Sequence, residues 1–261
     1  DVTQANFESC ILNIAIDNQD NFHFIVGLGA GNHLDGQVTV PTTFTNYTYQ
    51  YYLVKLNTQT QQFANVLLLP TTGKIEPKNT RFVYNEASNI YYLSSIRESL
   101  MPFSYNNEPI INRSFLLAIR GFNSSIGTDG EELWRREIYS QPTNGQSITT
   151  NRIFSLKVDS NSDIYIGGCI FKNPNETNLK IYDPTDPNNP AKTYLFTPGA
   201  PYGTMPFIAK LNSSGIVQWA RTPSGYNLPT ADTRQYYGFG LALRYNEVAF
   251  ATMGSNTIWD G

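Results

Sequence analysis

Residues 153–168 read IFSLKVDSNSDIYIGG. Phe154, Leu156 and Val158 fall at every second position, which is the period of a strand and not of a helix. A polar stretch at 159–163 follows, and a second apolar run ends in two glycines, so the segment predicts a β-hairpin. Three further segments share the design: ILNIAIDNQDNFHFIVG (11–27), RFVYNEASNIYYLSS (81–95) and GFGLALRYNEVAFATMG (238–254). Ile14 and Ile16, and likewise Phe239, Leu241 and Leu243, repeat the alternation.

A second hairpin follows each of the first three. YYLVKLNTQTQQFANVLLL (51–69), FLLAIRGFNSSIGTDGEELWRREI (115–138) and PFIAKLNSSGIVQWART (206–222) each place a cation, Lys55, Arg120 or Lys210, near a strand end. A polar turn and a strand carrying Phe63, Trp134 or Trp219 come next. The repeating unit is therefore four strands, at about 11–70, 79–138 and 152–222, with an incomplete unit at 237–261, all within one domain over 1–261. The longest linker, KNPNETNLKIYDPTDPNNPAKTYLFTPGAPYG (172–203), is rich in Pro, Asn and Asp and reads as a surface insertion.

A repeated four-stranded antiparallel unit predicts an all-β, β-propeller-like array of blades, about three and a half of them here. The pattern "strand-D-polar turn-N-strand-G" followed by "FxAKLNxSGxxxWAR" resembles the β-propeller repeat family of secreted and envelope proteins. KVDSNSDIYIGG and FIAKLNSSGIVQWAR carry the resemblance best, and it covers nearly the whole chain. The chain departs from the pattern in two places: DNQDN, NEASN and DSNSD lack the usual turn glycine, and Phe63 stands where the other units have Trp. Three and a half blades do not close a ring. Continuation past Gly261, or strands from a partner chain, is expected over an open edge, whose unpaired N–H and C=O groups invite aggregation.

Composition narrows the function. The chain has 261 residues, 40% hydrophobic and 13% aromatic, enough for a sizeable core. Only 15% are charged, the net charge is -3 and no run of like charges occurs, which disfavours nucleic acid as a partner. The longest apolar runs, ANVLLLP and SFLLAI, fall well short of the roughly 20 residues of a membrane span. Cys10 and Cys169 lie in separate apolar contexts and read as buried free thiols. Asn-x-Ser/Thr sites occur at Asn46, Asn112, Asn123, Asn175 and Asn212, and in so Asn-rich a chain they carry little weight.

Residues able to do chemistry are sparse. The only histidines are His23, between Phe22 and Phe24 in a strand, and His33; His23 reads as structural. There is no GxSxG, HExxH or Walker loop. DSNSD (159–163) begins like a calcium loop, but Ile164 replaces the turn glycine and no Glu stands at the twelfth position. DPTDPNNP (183–190) offers Asp183 and Asp186 and reads as a rigid turn. GTDGEELW (127–134) resembles the Asp-box turns of sialidase propellers, which are structural. Lys55, Arg120 and Lys210 are expected to pair with turn carboxylates such as Asp17 and Asp159, and Trp134 and Trp219 to fill the wedge between blades.

The segment FHFIVGLGAGN (22–32) invites a dinucleotide-loop reading through Gly27, Gly29 and Gly31. That fold requires a helix directly after the glycines, whereas NHLDGQVTVPTTFTNYTY follows, with β-branched residues and a proline. The glycines are therefore read as the place where a strand leaves its blade. No catalytic, cofactor-binding or metal residue is assigned. The function expected is a non-catalytic interaction module presenting loops to a protein partner in an extracellular, envelope or virion-surface assembly. The alternative is a carbohydrate-binding or glycan-processing propeller, using NYTYQYY (46–52, with Tyr49 and Tyr51) or YDPTDPNNPAKTY with GAPYG.

Overall fold

The computed structural model describes residues 9–41, 49–97, 102–139, 151–172, 179–196, 203–223, 225–226, 237–244, 247–253 and 257–258. These form antiparallel sheets, with one 3-10 turn at Pro77–Asn79 as the sole helical element among them. The first sheet is a meander of Cys10–Ile16, Phe22–Leu28, Gln50–Asn57 and Gln62–Leu68. The second contains Arg81–Asn85, Ile90–Ile96, Ser114–Arg120 and Glu132–Tyr139, and the third Arg152–Val158, Ile164–Lys172, Gly203–Leu211 and Val217–Arg221. Tyr237–Arg244 and Glu247–Met253 make a two-stranded fourth sheet. All four first hairpins and all three second hairpins expected from the sequence are present.

The same irregularity recurs in register. The first strand bulges between Ile11 and Asn13, between Ile153 and Ser155, and between Gly238 and Gly240. The third strand shifts register after Lys55, after Ala118 and after Lys210. These shifts fix equivalences between units that the sequence left ambiguous. Ala118 holds the place of Lys55 and Lys210, so Arg120 lies two residues beyond it. Asn65, opposite Lys55, is the counterpart of Trp134 and Trp219, and Phe63 is not.

Turn chemistry explains the missing glycines of DNQDN and DSNSD. Asp17 Oδ1 accepts the amides of Gln19 and Asn21 at 3.0 and 2.8 Å. In the same way Asp159 Oδ1 accepts those of Asn161 and Asp163, and Asn212 Oδ1 those of Ser214 and Ile216. In each five-residue loop the short side-chain acceptor adds these two bonds to two backbone bonds, as from Asp17 N–H to the Asn21 carbonyl and from Asp20 N–H to the Asp17 carbonyl. The fourth loop residue adopts left-handed φ: 61° at Asp20, 66° at Ser162 and 73° at Gly215. Only Gly215 does so without steric cost.

Consecutive sheets stack face to face, with the first strand of each against the first strand of the next. Ile25, Tyr51 and Leu53 of the first sheet meet Phe82, Tyr91, Leu93 and Phe115 of the second in one buried cluster. Leu116 and Ala118 on the second sheet's other face meet Leu156, Ile166 and Phe207 of the third. Tyr165 and Ile208 then receive Leu241 of the fourth. Full burial of each such aliphatic or aromatic side chain contributes about 1.5–3 kcal/mol. The described residues form a series of sheets and do not close into a ring.

Besides the short pair of Gly225–Tyr226 with Thr257–Ile258, three additions decorate the series. Gly31–His33 pairs with Val38–Val40, and this hairpin covers Val26, Leu28, Tyr52 and Val54 on the outer face of the first sheet. It begins at the glycines of FIVGLGAGN, where His33 Nε2 lies 2.8 Å from the Gly29 carbonyl. Thr71–Gly73, Phe103–Tyr105 and Glu108–Pro109 form a small sheet beside the second. Within the long 172–203 linker, Leu179–Tyr182 and Thr193–Phe196 form a hairpin that extends the second sheet to six strands.

Candidate functional site

The extension leaves a groove. Leu179–Tyr182 covers only residues 137–139 of the neighbouring strand Glu132–Tyr139, so among the described residues no strand pairs with the outer edge of 132–136. That edge opens into a cleft of about 530 Å³, walled by Trp134 and Arg136, by Asp183, Thr185 and Lys192 of the inserted loop, and by the Ser213–Ser214 turn of the third sheet.

Charge is arranged from the inside outward. Arg136 and Asp183, with side chains only 3% and 7% exposed, lie 3.5 Å apart. Arg136 Nε donates to the Gly215 carbonyl at 2.7 Å and Nη1 to its neighbour's carbonyl at 2.6 Å. Burial pulls its guanidinium below the ordinary range, and Asp183 opposes that shift. Asp183 Oδ1 accepts the Thr185 amide and hydroxyl at 3.0 and 2.6 Å. Lys192 Nζ, more exposed, reaches Asp183 and Asp186 at 3.6 and 3.4 Å. The DPTDPNNP loop is thus held by protein cations.

Trp134 supports the wall. Its Nε1 donates to the Ser213 carbonyl at 3.0 Å, and a Cβ on Gly215 would lie 2.6 Å from its ring. Tyr92 packs against the ring and the Arg136 guanidinium lies 5.5 Å from its centroid. The indole joins the second sheet to the third, while Trp219 packs on the cluster between the third and fourth.

A second polar cluster is sealed in the core. His23 Nε2 lies 3.1 Å from Asp17 Oδ2, and its Nδ1 lies 2.5 Å from the Tyr91 hydroxyl. With Asp17 ionised, Nε2 carries the proton and Nδ1 accepts from Tyr91. Burial alone raises the Asp17 carboxyl; bonds from Asn21, Lys55 and His23 outweigh it and hold the group well below the usual range. Burial lowers His23. An Asp–His–Tyr chain has the order of a proton relay, but His23 is 1% and Tyr91 0% exposed, so its hydroxyl meets no substrate.

The cations expected at equivalent places diverge. Lys55 pairs with Asp17 at 3.0 Å as expected, whereas Lys210 pairs with Asp163 at 2.7 Å and not with Asp159, and Arg120 pairs with Glu131 at 2.9 Å. Tyr51, offered above as a sugar platform, is core: it is 2% exposed, and its hydroxyl accepts the Ile75 amide. Tyr49 is half-buried with Lys74 over its ring. Residues 46–48 and 199–202 lie outside the described residues. Cys169 is buried and its thiol pushed up to about 12 by burial, but Cys10 is only half-buried. Asn112 and Asn212 spend their side chains on Glu137 and on a turn, while Asn123 bonds through its amide to Asp129; Asn46 and Asn175 lie outside the described residues.

The groove itself was only half legible. Sequence alone points to Asp183, Thr185 and Lys192 through YDPTDPNNPAKTY, whereas Arg136 reads as part of a strand. The signal was WRRE (134–137), three adjacent charges in a strand otherwise destined for burial. No model of a known protein family matches the chain, and no curated protein is significantly similar to it.

Proposed function

We propose that the protein is a non-catalytic, propeller-like interaction module of an extracellular, envelope or virion-surface assembly, and that it takes an extended segment of a protein partner along the open edge of 132–136. One observation carries this reading: the inserted hairpin stops short of that edge and leaves it at the floor of a groove. An unpaired strand edge offers main-chain donors and acceptors to an added strand, and flanking side chains supply selectivity. Lys192, Thr185, Ser213 and Ser214 stand at the rim for that purpose. Low net charge suits recognition by shape over electrostatic steering.

A glycan reading is favoured by the same rim, because carboxylate, ammonium and hydroxyl groups together match sugar hydroxyls. Selection of displayed peptides on the immobilised chain, run beside a glycan array, separates the two. Enrichment of extended β-prone peptides, lost in Lys192→Glu and Ser214→Arg, supports the strand-addition reading. Saturable glycan binding lost in the same variants, with no peptide enrichment, overturns it.

A further inference from the structure

On the first strand of every later sheet, two equivalent positions pack against the sheet before. They are Phe82 and Tyr84 in the second sheet, Leu156 and Val158 in the third, and Leu241 and Leu243 in the fourth. The equivalent positions in the first sheet are Ile14 and Ile16, which are 48% and 60% exposed, and Ile11 beside them is 58% exposed. At the other end of the series the fourth sheet exposes Ala242, Ala249 and Ala251, on the face that earlier sheets use to receive the next.

We propose that these two faces bind each other between copies: the fourth sheet of one chain seats on the Ile11–Ile14–Ile16 strip of a second, continuing the internal stacking head to tail. The internal interface between the third and fourth sheets supplies the template. There Leu241 and Phe250 sit over Gly167, where an added Cβ would lie 3.2 Å from Leu241 and 2.7 Å from Phe250. Ala251 occupies the place of Gly167 in the fourth sheet, by their pairing with Gly240 and Ser155, and Ile14 occupies the place of Leu241. A small residue therefore faces a large one in both.

Width agrees as well. Among the described residues the Gly31–His33 and Val38–Val40 hairpin covers the part of the first sheet's face formed by its second and third strands and does not reach the first strand. Among the described residues the fourth sheet has two strands, Tyr237–Arg244 and Glu247–Met253, so it is narrow enough for the strip left open. Such a contact is heterologous, using two different patches, and it closes as a ring or continues as a chain. It goes beyond the proposed function and uses neither the groove nor its rim.

Light scattering after gel filtration tests the contact on the 261-residue chain of 29.3 kDa. The expected result is a concentration-dependent mass of at least two chains. Ile14→Asp and Ala251→Glu, on opposite faces, should each return the monomer with an unchanged far-ultraviolet spectrum. Mixed Ile14→Cys and Ala251→Cys chains, both in a Cys10→Ser background, should cross-link to each other. A monomer at every concentration overturns the proposal, and so does cross-linking of Ile14→Cys chains to themselves, which marks a face-to-face dimer. Peptide selection at the groove proceeds unchanged in Ile14→Asp, so failure here and failure of the strand-addition reading are told apart.

Discussion

The hydroxyl of Tyr91 lies 2.5 Å from Nδ1 of His23, so the second sheet donates a hydrogen bond into the first across a core closed to water. The two rings are held by Tyr84, which stacks on His23 with centroids 4.4 Å apart and lies 4.5 Å from Tyr91. The junction between these sheets is therefore both aromatic and polar, and only one protonation state of His23 satisfies it.

A pH dependence follows. Burial lowers His23, Lys55 lowers it further, and Asp17 and Glu86 oppose them without reversing the direction. The folded state binds this proton more weakly than the unfolded chain, whose histidine titrates near about 6.5. The stability contributed is complete above that value and is lost as pH falls below it. Thermal melts should show a lower midpoint at pH 5.5 than at 7.5. His23→Gln should melt lower at pH 7.5 yet show a smaller drop between the two; an undiminished drop assigns the effect elsewhere.

The turn residues predict substitutions of opposite sign. Ser162 holds φ of 66°, and Ser162→Gly should stabilise by ~0.5–1 kcal/mol by removing left-handed strain. Gly215 combines φ of 73° with the Trp134 ring, and Gly215→Ala should cost about 2 kcal/mol or more. Urea unfolding of the two variants checks both signs; a neutral Gly215→Ala contradicts the close approach of turn and indole.

Glu137 is fully buried and its carboxylate faces the amides of Ile111 and Asn112, the former at 3.0 Å, with the Asn112 side chain at 2.8 Å. Glu137→Ala leaves these donors without an acceptor and should cost about 3 kcal/mol. Glu137→Gln keeps one acceptor oxygen and should lose less. Equal losses for the two in chemical denaturation would mean that size, not acceptance, matters at this position.

Thiol chemistry distinguishes the cysteines. Cys169 is fully buried and its thiol is pushed up to about 12, so it resists a disulfide reagent in the native protein at pH 8. Cys10 is half-buried and should react first. Native titration is expected to give at most one equivalent and denatured titration two; loss of the native signal in Cys10→Ser confirms the assignment.

Strand alternation and turn polarity sufficed to place the hairpins, because Leu156, Val158 and their equivalents must face one way for a sheet to bury them. Two features escaped. Register is invisible in composition: a bulge after Ala118 moves Arg120 out of the place of Lys55 and assigns Asn65, not Phe63, to the place of Trp134. The path of the 172–203 insertion is equally hidden, since LKIY and TYLF are too short to declare a partner, and what decides their pairing is a free edge at 137–139 in a different unit. The groove depends on that pairing, so only its loop residues could be anticipated.

The hairpin of Leu179–Tyr182 and Thr193–Phe196 belongs to the third unit by sequence and to the second sheet by pairing. Arrays whose members touch only through stacked faces tolerate gain or loss of single members, since each cut crosses one interface. Here excision of the third unit also strips two strands from the second. Transplanting the second alone leaves its outer edge bare. Thr71–Gly73 likewise pairs with Phe103–Tyr105, so the segment that evolution or an engineer can move without tearing a sheet is the run spanning 71–221, and shuffling of this chain has to respect a boundary that its repeats do not mark.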